Sequence, residues 1–161
     1  TEAMLFAAKL IDRQGKVEDG NTVCDYEAEE KKRKFSITAA TAPVEWAGKV
    51  LNIVDVPGYF DFIGEMTGPM RVVETACVVV SASSGLTVGA EKAVTKAQKS
   101  NMGRMFVINQ MDREHVSFDK VTSALREKYG ASVVPVLIPI GDGPAFKGVI
   151  NVLEQKAYEG A

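Results

Sequence analysis

Hydrophobic and polar residues follow a regular order in the second half of the chain. The continuous apolar runs "ACVVVSA" (76–82) and "RMFVIN" (104–109) are typical of strands covered on both faces. Segments 88–100 and 118–130 instead place their apolar residues on one helical face, namely Ala90, Ala93, Val94 and Ala97 in the first and Phe118, Val121 and Leu125 in the second. This order predicts an α/β fold with a parallel sheet and right-handed crossovers.

The first half of the chain is less regular. Met4, Ala7, Ala8 and Ile11 have helical spacing, which predicts a helix that stops by Gly15. Residues 15–36 are polar, charged and without period, and we expect a mobile loop there. "ITAATAPVEW" (37–46) and "KVLNIVD" (49–55) predict a hairpin around Gly48, followed by a loop at 55–59 and about a dozen helical residues that end near Val73.

The last thirty or so residues differ from the rest. Pro135 and Pro139 lie within the apolar run "VVPVLIPIG", and a proline cannot donate to the ladder of a central strand. We therefore predict a boundary near Gly130, with one domain at 1–129 and the start of another at 130–161.

Composition is that of an ordinary globular protein. With 46% hydrophobic residues, a net charge of -2 and a pI near 5.5, the chain has no overall electrostatic reason to bind nucleic acid or an anionic membrane. Cys24 and Cys77 are far apart and are expected to be free thiols in a reducing compartment. No apolar stretch is long enough to span a bilayer, so we expect a cytoplasmic protein without a membrane partner. The chain lacks an initiator Met and is expected to be cut from a longer protein.

Three polar features follow predicted elements in a suggestive order. They are a hydroxyl at Ser36, the D-x-x-G sequence of Asp55 to Gly58, and the N-x-x-D sequence of Asn109 to Asp112. Each feature has a simpler interpretation when it is taken alone. Ser36 is then a solvated hydroxyl, D-x-x-G is a loop, and N-x-x-D is a turn or a helix cap. Their order and strand-end placement together favour the magnesium, phosphate and base loops of a GTPase.

The chain also resembles a known family through longer stretches. "DGNTVCDYEAEEKKRKFSITAAT", "DVPGYFDFIGEM", "VINQMDR" and "VPVLIPIGDGPAFKGVINVLEQKA" are similar to the G domain of elongation factor G and its paralogues. The resemblance implies a P-loop GTPase-type three-layer fold with a mostly parallel sheet, and it makes 130–161 the start of the subdomain inserted in that family. The 161 residues contain no G-x-x-x-x-G-K-[ST] loop. The expected fold is therefore truncated at its N-terminus, without the first strand and P-loop, and this chain alone is expected to bind GTP weakly or not at all.

The resemblance also implies individual roles. Ser36 and Asp55 would hold Mg²⁺, the latter through water, and the Gly58 amide would meet the γ-phosphate. Asn109 would bond the purine and support the neighbouring loop, while Asp112 would accept from guanine N1–H and the 2-amino group.

Three residues depart from the family pattern. Ser36 replaces a threonine, which keeps the oxygen and loses only a methyl group. Gln110 replaces the lysine that usually stacks on the base, which keeps an aliphatic stem and removes the charge. Tyr59 replaces the histidine that orients the attacking water, as in a branch of elongation factor G-like paralogues. Tyr59 either positions water through its hydroxyl or packs as an aromatic ring under the switch, and the sequence leaves both readings open.

The function expected from the resemblance is that of a GTPase fragment. Its parent would bind GTP or GDP with Mg²⁺ and hydrolyse GTP to drive a conformational step on the ribosome. The alternative is a degenerate binding module that docks on the ribosome or a protein without turnover. A third reading is RNA binding by "EEKKRK" (29–34), although such a charged run is more typical of a solvated segment. No specific DNA partner is expected.

Overall fold

The computed structural model describes residues 1–160. The chain divides into two compact units, the first from Thr1 to Glu74 and the second from Thr75 onward. Each unit has its own sheets and hydrophobic core. Among the described residues, no helix is both long and apolar enough to cross a membrane.

The first unit is built around a hairpin. Strands β1 (Ala40–Trp46) and β2 (Lys49–Asp55) pair antiparallel, from Ala40 opposite Asp55 to Trp46 opposite Lys49. Ala47 and Gly48 both have positive φ in the connecting turn, which suits the right-handed twist of the two strands. The predicted hairpin is confirmed. Its register places Asp55 at the open end, away from the turn.

The core of the first unit lies on one face of β1. Alternate residues Ala40, Ala42 and Val44 are buried there, together with Leu5 and Cys24. Leu5 belongs to helix α1 (Glu2–Ala7), which is shorter than the sequence predicts. The prediction of a helix that continues toward Gly15 is wrong, because Lys9 turns to positive φ just after α1 ends. Leu5 is the residue of α1 that is buried against β1, and Ala8 and Ile11 pack beside it.

The prediction that residues 15–36 form one mobile loop is also wrong. The segment contains a short 3₁₀ turn (Val17–Asp19) and helix α2 (Ala28–Arg33). Helix α2 carries acidic residues in its first turn and basic residues in its last turn, which complements the helix dipole. Glu30 is fully buried, and its carboxylate accepts hydrogen bonds from the chain before and after the helix. These contacts order the segment despite its polar composition.

Two 3₁₀ segments complete the first unit, Phe60–Met66 and Pro69–Arg71. They replace the longer helical stretch that the sequence predicts up to Val73. Phe62 has non-helical backbone angles within the first of them, and Pro69 opens the second. The region is thus helical in outline but broken into short turns.

The second unit begins with a βαβ arrangement. Its elements are β3 (Thr75–Ser81), α3 (Val88–Lys99), β4 (Gly103–Asn109) and α4 (Phe118–Tyr129). Strands β3 and β4 are parallel, from Thr75 opposite Gly103 to Ser81 opposite Asn109, as the sequence predicts. Thr87 and Ser117 cap the two helices by accepting hydrogen bonds from the amides of Ala90 and Lys120.

Both helices pack on one face of this strand pair. Val78 and Val80 of β3 contact Val94 of α3 and Val121 and Leu125 of α4 in a buried cluster. The predicted apolar faces of both helices are confirmed. The expectation that these strands are covered on both faces is not met within this unit, where the outward side chains Cys77, Val79 and Met105 are exposed.

The chain after α4 forms a separate antiparallel sheet. Strands β5 (Leu137–Ile140), β6 (Gly148–Asn151) and β7 (Lys156–Glu159) lie in the order β5-β6-β7. Pro139 is on the edge strand β5, opposite Val149, where its missing N–H disrupts no central ladder. The inference that this proline does not belong to a central strand of the parallel sheet is confirmed.

The buried cluster of the second unit predicts a large cost for truncating Leu125. This side chain is 2% exposed, so Leu125→Ala should lower the free energy of unfolding by about 2–5 kcal/mol. Urea titrations followed by circular dichroism would measure it, with Val134→Ala as control because Val134 is 68% exposed. A loss below about 1 kcal/mol for Leu125→Ala would contradict the packing described here.

The buried carboxylate of the first unit predicts an acid-dependent stability. Burial raises the pKa of Glu30, but hydrogen bonds from the Thr38, Ile37 and Glu27 amides outweigh it and hold the pKa below its usual value of 4.5. The stabilisation is therefore present above that value and is lost as the pH falls through the lowered pKa. Glu30→Gln should cost about 1–3 kcal/mol at pH 7, because the buried side chain loses its charge and one of its two acceptor oxygens.

Urea titrations between pH 7 and pH 3 would test this expectation. The difference in stability between the wild type and Glu30→Gln should narrow below the usual glutamate pKa of 4.5. Glu29→Gln is the matched control, since Glu29 is exposed and pairs with its helical neighbours Lys32 and Arg33. An unchanged difference across the whole pH range would contradict the role given to the ionised carboxylate.

Candidate functional site

The hydroxyl of Ser36 is held by a buried carboxylate. Ser36 Oγ donates to Asp25 Oδ1 at 2.6 Å, and Thr22 Oγ1 donates to Asp25 Oδ2 at the same distance. Asp25 is 6% exposed, so this acceptor is largely removed from water. The hydroxyl that the sequence predicts as a magnesium ligand is therefore already engaged within the protein.

The backbone beside Ser36 is bound by a second buried carboxylate. Glu30 Oε1 accepts from the Ile37 amide at 2.9 Å, the Thr38 amide at 3.0 Å and the Thr38 hydroxyl at 3.2 Å. Glu30 Oε2 accepts from the Glu27 amide at 2.9 Å, as in a capping box. Asp25 and Glu30 thus hold the Ser36 segment through its side chain and its backbone respectively.

Asp55 lies at the last position of β2 and is half-buried. The negative charge of its carboxylate acts on the buried thiol of Cys24. Burial raises the pKa of Cys24 to about 11, and the negative charges of Asp55 and Glu2 add to the effect. Cys24 is therefore a neutral thiol at pH 7.

The loop after Asp55 brings an aromatic ring onto the Ser36 segment. Pro57 is buried and Gly58 is exposed, with open space where a Cβ would stand. The Tyr59 ring lies 4.6 Å from the Phe35 ring between centroids, and Phe35 lies 6.2 Å from Phe62. Tyr59 is nevertheless 56% exposed, so its ring packs on one side while much of the side chain stays in water.

In the second unit, polar residues lie at the end of β4 and directly after it. Asn109 Oδ1 accepts from the Gln110 amide at 2.9 Å, which fixes a tight turn. Gln110 has φ of 62°, and its Oε1 accepts from Ser81 Oγ at 2.7 Å, so the turn is tied to the end of β3. Asp112 is exposed, while the Met111 carbonyl accepts from the Gly143 amide at 2.8 Å. Side-chain and backbone hydrogen bonds thus hold this loop, and Asp112 is exposed on it.

A cavity of about 740 Å³ extends along β4 within the second unit. Residues 103–112 all border it, so it reaches the turn that carries Asn109, Gln110 and Asp112. Its other walls come from α3, α4 and the chain around β5, and they are largely apolar. This volume falls in the usual range of pockets for small molecules and cofactors.

Two residues of the first unit carry side-chain oxygens of the kind that bind hard cations. In the first unit, Ser36 and Asp55 offer hard oxygen donors that suit Mg²⁺, which takes its remaining ligands from phosphates and water. Within residues 1–160, no cluster of three or more His, Cys, Asp or Glu side chains could hold a metal by itself. A site completed by ligand oxygens therefore fits these residues better than an all-protein metal cage.

The predicted residues are thus divided between the units. Ser36, Asp55, Gly58 and Tyr59 belong to the first unit, where Phe35 links the Ser36 and Tyr59 segments through its ring. Asn109, Gln110 and Asp112 belong to the second. The sequence pattern did not identify Asp25 and Glu30 as acceptors for the Ser36 segment, because it predicted a loop for residues 15–36. The acidic-to-basic order of residues 29–34, which is typical of a capped helix, is a signal that could have revealed α2.

Comparisons with known proteins match the chain almost completely. Residues 1–160 match the family described as elongation factor Tu GTP binding domain. Elongation factor G of Mycoplasma pneumoniae is 32% identical over 158 residues, which are 98% of this chain and 23% of that protein. An elongation factor G-like protein of Thermotoga maritima is 32% identical over 155 residues, which are 96% of this chain and 23% of that protein.

A solved structure is similar as well. A crystal structure of a protein from Thermus thermophilus matches with a TM-score of 0.92 and 33% identity, over 99% of this chain and 24% of that one. The chain thus spans about a quarter of the length of these relatives. The resemblance to elongation factor G-like GTPases and the α/β GTPase-type fold are both confirmed. The chain therefore belongs to the family of elongation factor Tu GTP binding domains.

Proposed function

We propose that this chain is part of the G domain of an elongation factor G-like GTPase that hydrolyses GTP to drive a conformational step on the ribosome. The observation that carries the proposal is the family match over residues 1–160. Within that range, Asp55 ends β2 and Asn109 ends β4, which supports the proposed roles of the two motifs. A cytoplasmic location and a guanine nucleotide as ligand follow from the same proposal.

The first unit would handle the phosphates and the metal. Ser36 and Asp55 would hold Mg²⁺, Ser36 directly and Asp55 through a bound water, while the exposed Gly58 leaves room for an oxyanion near its amide. To reach a metal, the Ser36 hydroxyl must exchange its hydrogen bond to Asp25. Nucleotide and metal together would thus rearrange the segments around Ser36 and 55–65, and hydrolysis would release them.

The second unit would read the base. Asp112 is exposed on a loop held by hydrogen bonds, so its carboxylate can accept from guanine N1–H and the 2-amino group, and adenine offers neither donor. Asn109 holds the turn, and Gln110 would supply the stacking stem in place of a lysine. The bond from Ser81 to Gln110 supports a fixed position for that side chain.

The domain boundary near Gly130 is also part of the proposal. We place the G domain at 1–129 and the start of an inserted subdomain at 130–161. Support comes from strands β5, β6 and β7, which form a sheet of their own with an order and direction unlike those of β3 and β4.

A second candidate function is a binding module without turnover, which would occupy a ribosomal or protein surface. The packing of Tyr59 on Phe35 favours it, because a ring used for packing is less free to orient water. The exposed remainder of Tyr59 favours the enzyme, since its hydroxyl can still bond water.

GTP turnover of the longer protein that contains this chain separates these two candidates. We expect turnover that rises with ribosomes, and Tyr59→Phe should lower it by about tenfold to a hundredfold with unchanged GTP affinity, because only the hydroxyl is removed. Tyr158→Phe, on the exposed β7, is the control. Absence of turnover with and without ribosomes would exclude the enzyme and leave the binding module.

Base recognition is tested by Asp112→Ala in the same protein. Loss of a charged acceptor should weaken binding of a fluorescent GTP analogue by about tenfold to a hundredfold and leave the weak binding of ATP unchanged. Glu114→Ala, an exposed acidic residue on the same loop, is the matched control. Equal loss in both variants would mean that overall charge, and not base recognition, is responsible.

A further inference from the structure

The residues from Ser36 to Ala39 are bound by carboxylates at every position. The Ser36 hydroxyl donates to Asp25, the Ile37 and Thr38 amides to Glu30, and the Ala39 amide to Glu65. Of these three acceptors, Glu30 is the one with no exposed surface. Its carboxylate accepts hydrogen bonds from two consecutive amides and from the Thr38 hydroxyl. Backbone amides held in this way cannot shift without leaving a buried carboxylate short of donors.

Glu30 also forms hydrogen bonds with the chain on both sides of Phe35 and Ser36. Its backbone carbonyl accepts from the Lys34 amide at 2.7 Å, where Lys34 ends α2 with φ of 62°. Its side chain accepts from Ile37 and Thr38. One residue therefore anchors the chain immediately before and immediately after Phe35 and Ser36, which confines both to a short closed loop.

We propose that Glu30 is a positioning residue for the Ser36 hydroxyl, because its buried carboxylate fixes the backbone that presents this hydroxyl. Phe35 lies in the same closed loop, so Glu30 also fixes the ring on which Tyr59 packs. The consequence for metal binding rests on the function proposed above. The tether itself is a property of this chain and can be measured without nucleotide.

The first experiment measures amide hydrogen exchange on the 161-residue chain. In Glu30→Gln, the side chain loses its charge and keeps only one acceptor oxygen, so the hydrogen bonds that it can still accept from Ile37 and Thr38 are weaker than those of the carboxylate. We expect the Ile37 and Thr38 amides to lose about tenfold more protection than the amides of β1 and β2.

Val44→Ala is the matched control. Val44 is 3% exposed in the core of the same unit, so its truncation lowers stability without touching the Glu30 hydrogen bonds. If Val44→Ala exposes Ile37 and Thr38 as much as Glu30→Gln does, Glu30 is an ordinary stabilising residue and the proposal is wrong. Unchanged protection in Glu30→Gln would overturn it equally.

The second experiment uses the longer protein and compares GTP affinity in Mg²⁺ and in EDTA. Glu30→Gln should reduce the affinity gained from Mg²⁺ by about tenfold and leave affinity in EDTA unchanged, whereas Val44→Ala should leave the gain intact. Equal effects in Mg²⁺ and EDTA would overturn the positioning role. If the wild type binds no GTP, the proposed function fails, and the exchange experiment still decides whether Glu30 fixes the segment.

Discussion

The first unit depends on a buried carboxylate whose hydrogen-bond partners are all uncharged among the described residues. Glu30 is surrounded by uncharged donors, namely backbone amides and a hydroxyl, and they supply what water would supply to an exposed glutamate. This arrangement is directional, since each donor must point at one of two oxygens. It converts a short polar segment, which has little apolar surface to bury, into one with a defined path between α2 and β1.

The placement of the candidate residues follows from strand geometry. Asp55 ends β2 and Asn109 ends β4, so each polar group appears where a ladder stops and the backbone becomes free to turn. The strands and the helices packed on them provide the rigid support, and the loops provide the chemistry. Ser36 is different, because it precedes its strand and owes its position to side-chain acceptors.

Sequence patterns predicted the elements whose stability comes from apolar burial. The β1–β2 hairpin, the parallel β3–β4 pair and the buried faces of α3 and α4 all follow from hydrophobic periodicity. The motifs at 55–58 and 109–112 could be placed at strand ends for the same reason. Periodicity failed for α2, since that helix is held by the hydrogen bonds of one glutamate, and for α1, where a turn at Lys9 ends the helix early.

The same limit applies to the candidate site. A sequence shows which hydroxyl or carboxylate is present, but the partner that engages it depends on chain paths that no periodic pattern specifies. Asp25 therefore could not be identified as the acceptor for Ser36, and the ring contact of Tyr59 with Phe35 could be anticipated only as packing in general.

The outward-facing Cys77 on β3 has a chemical consequence for handling the protein. Although the residue is exposed, burial around its sulfur raises the pKa of the thiol above its usual value. Only the thiolate attacks disulfides and alkylating reagents, so little of the reactive form exists at neutral pH. An exposed cysteine can therefore react slowly. Labelling of Cys77 with a maleimide or a disulfide reagent will be slow unless the solution is made alkaline.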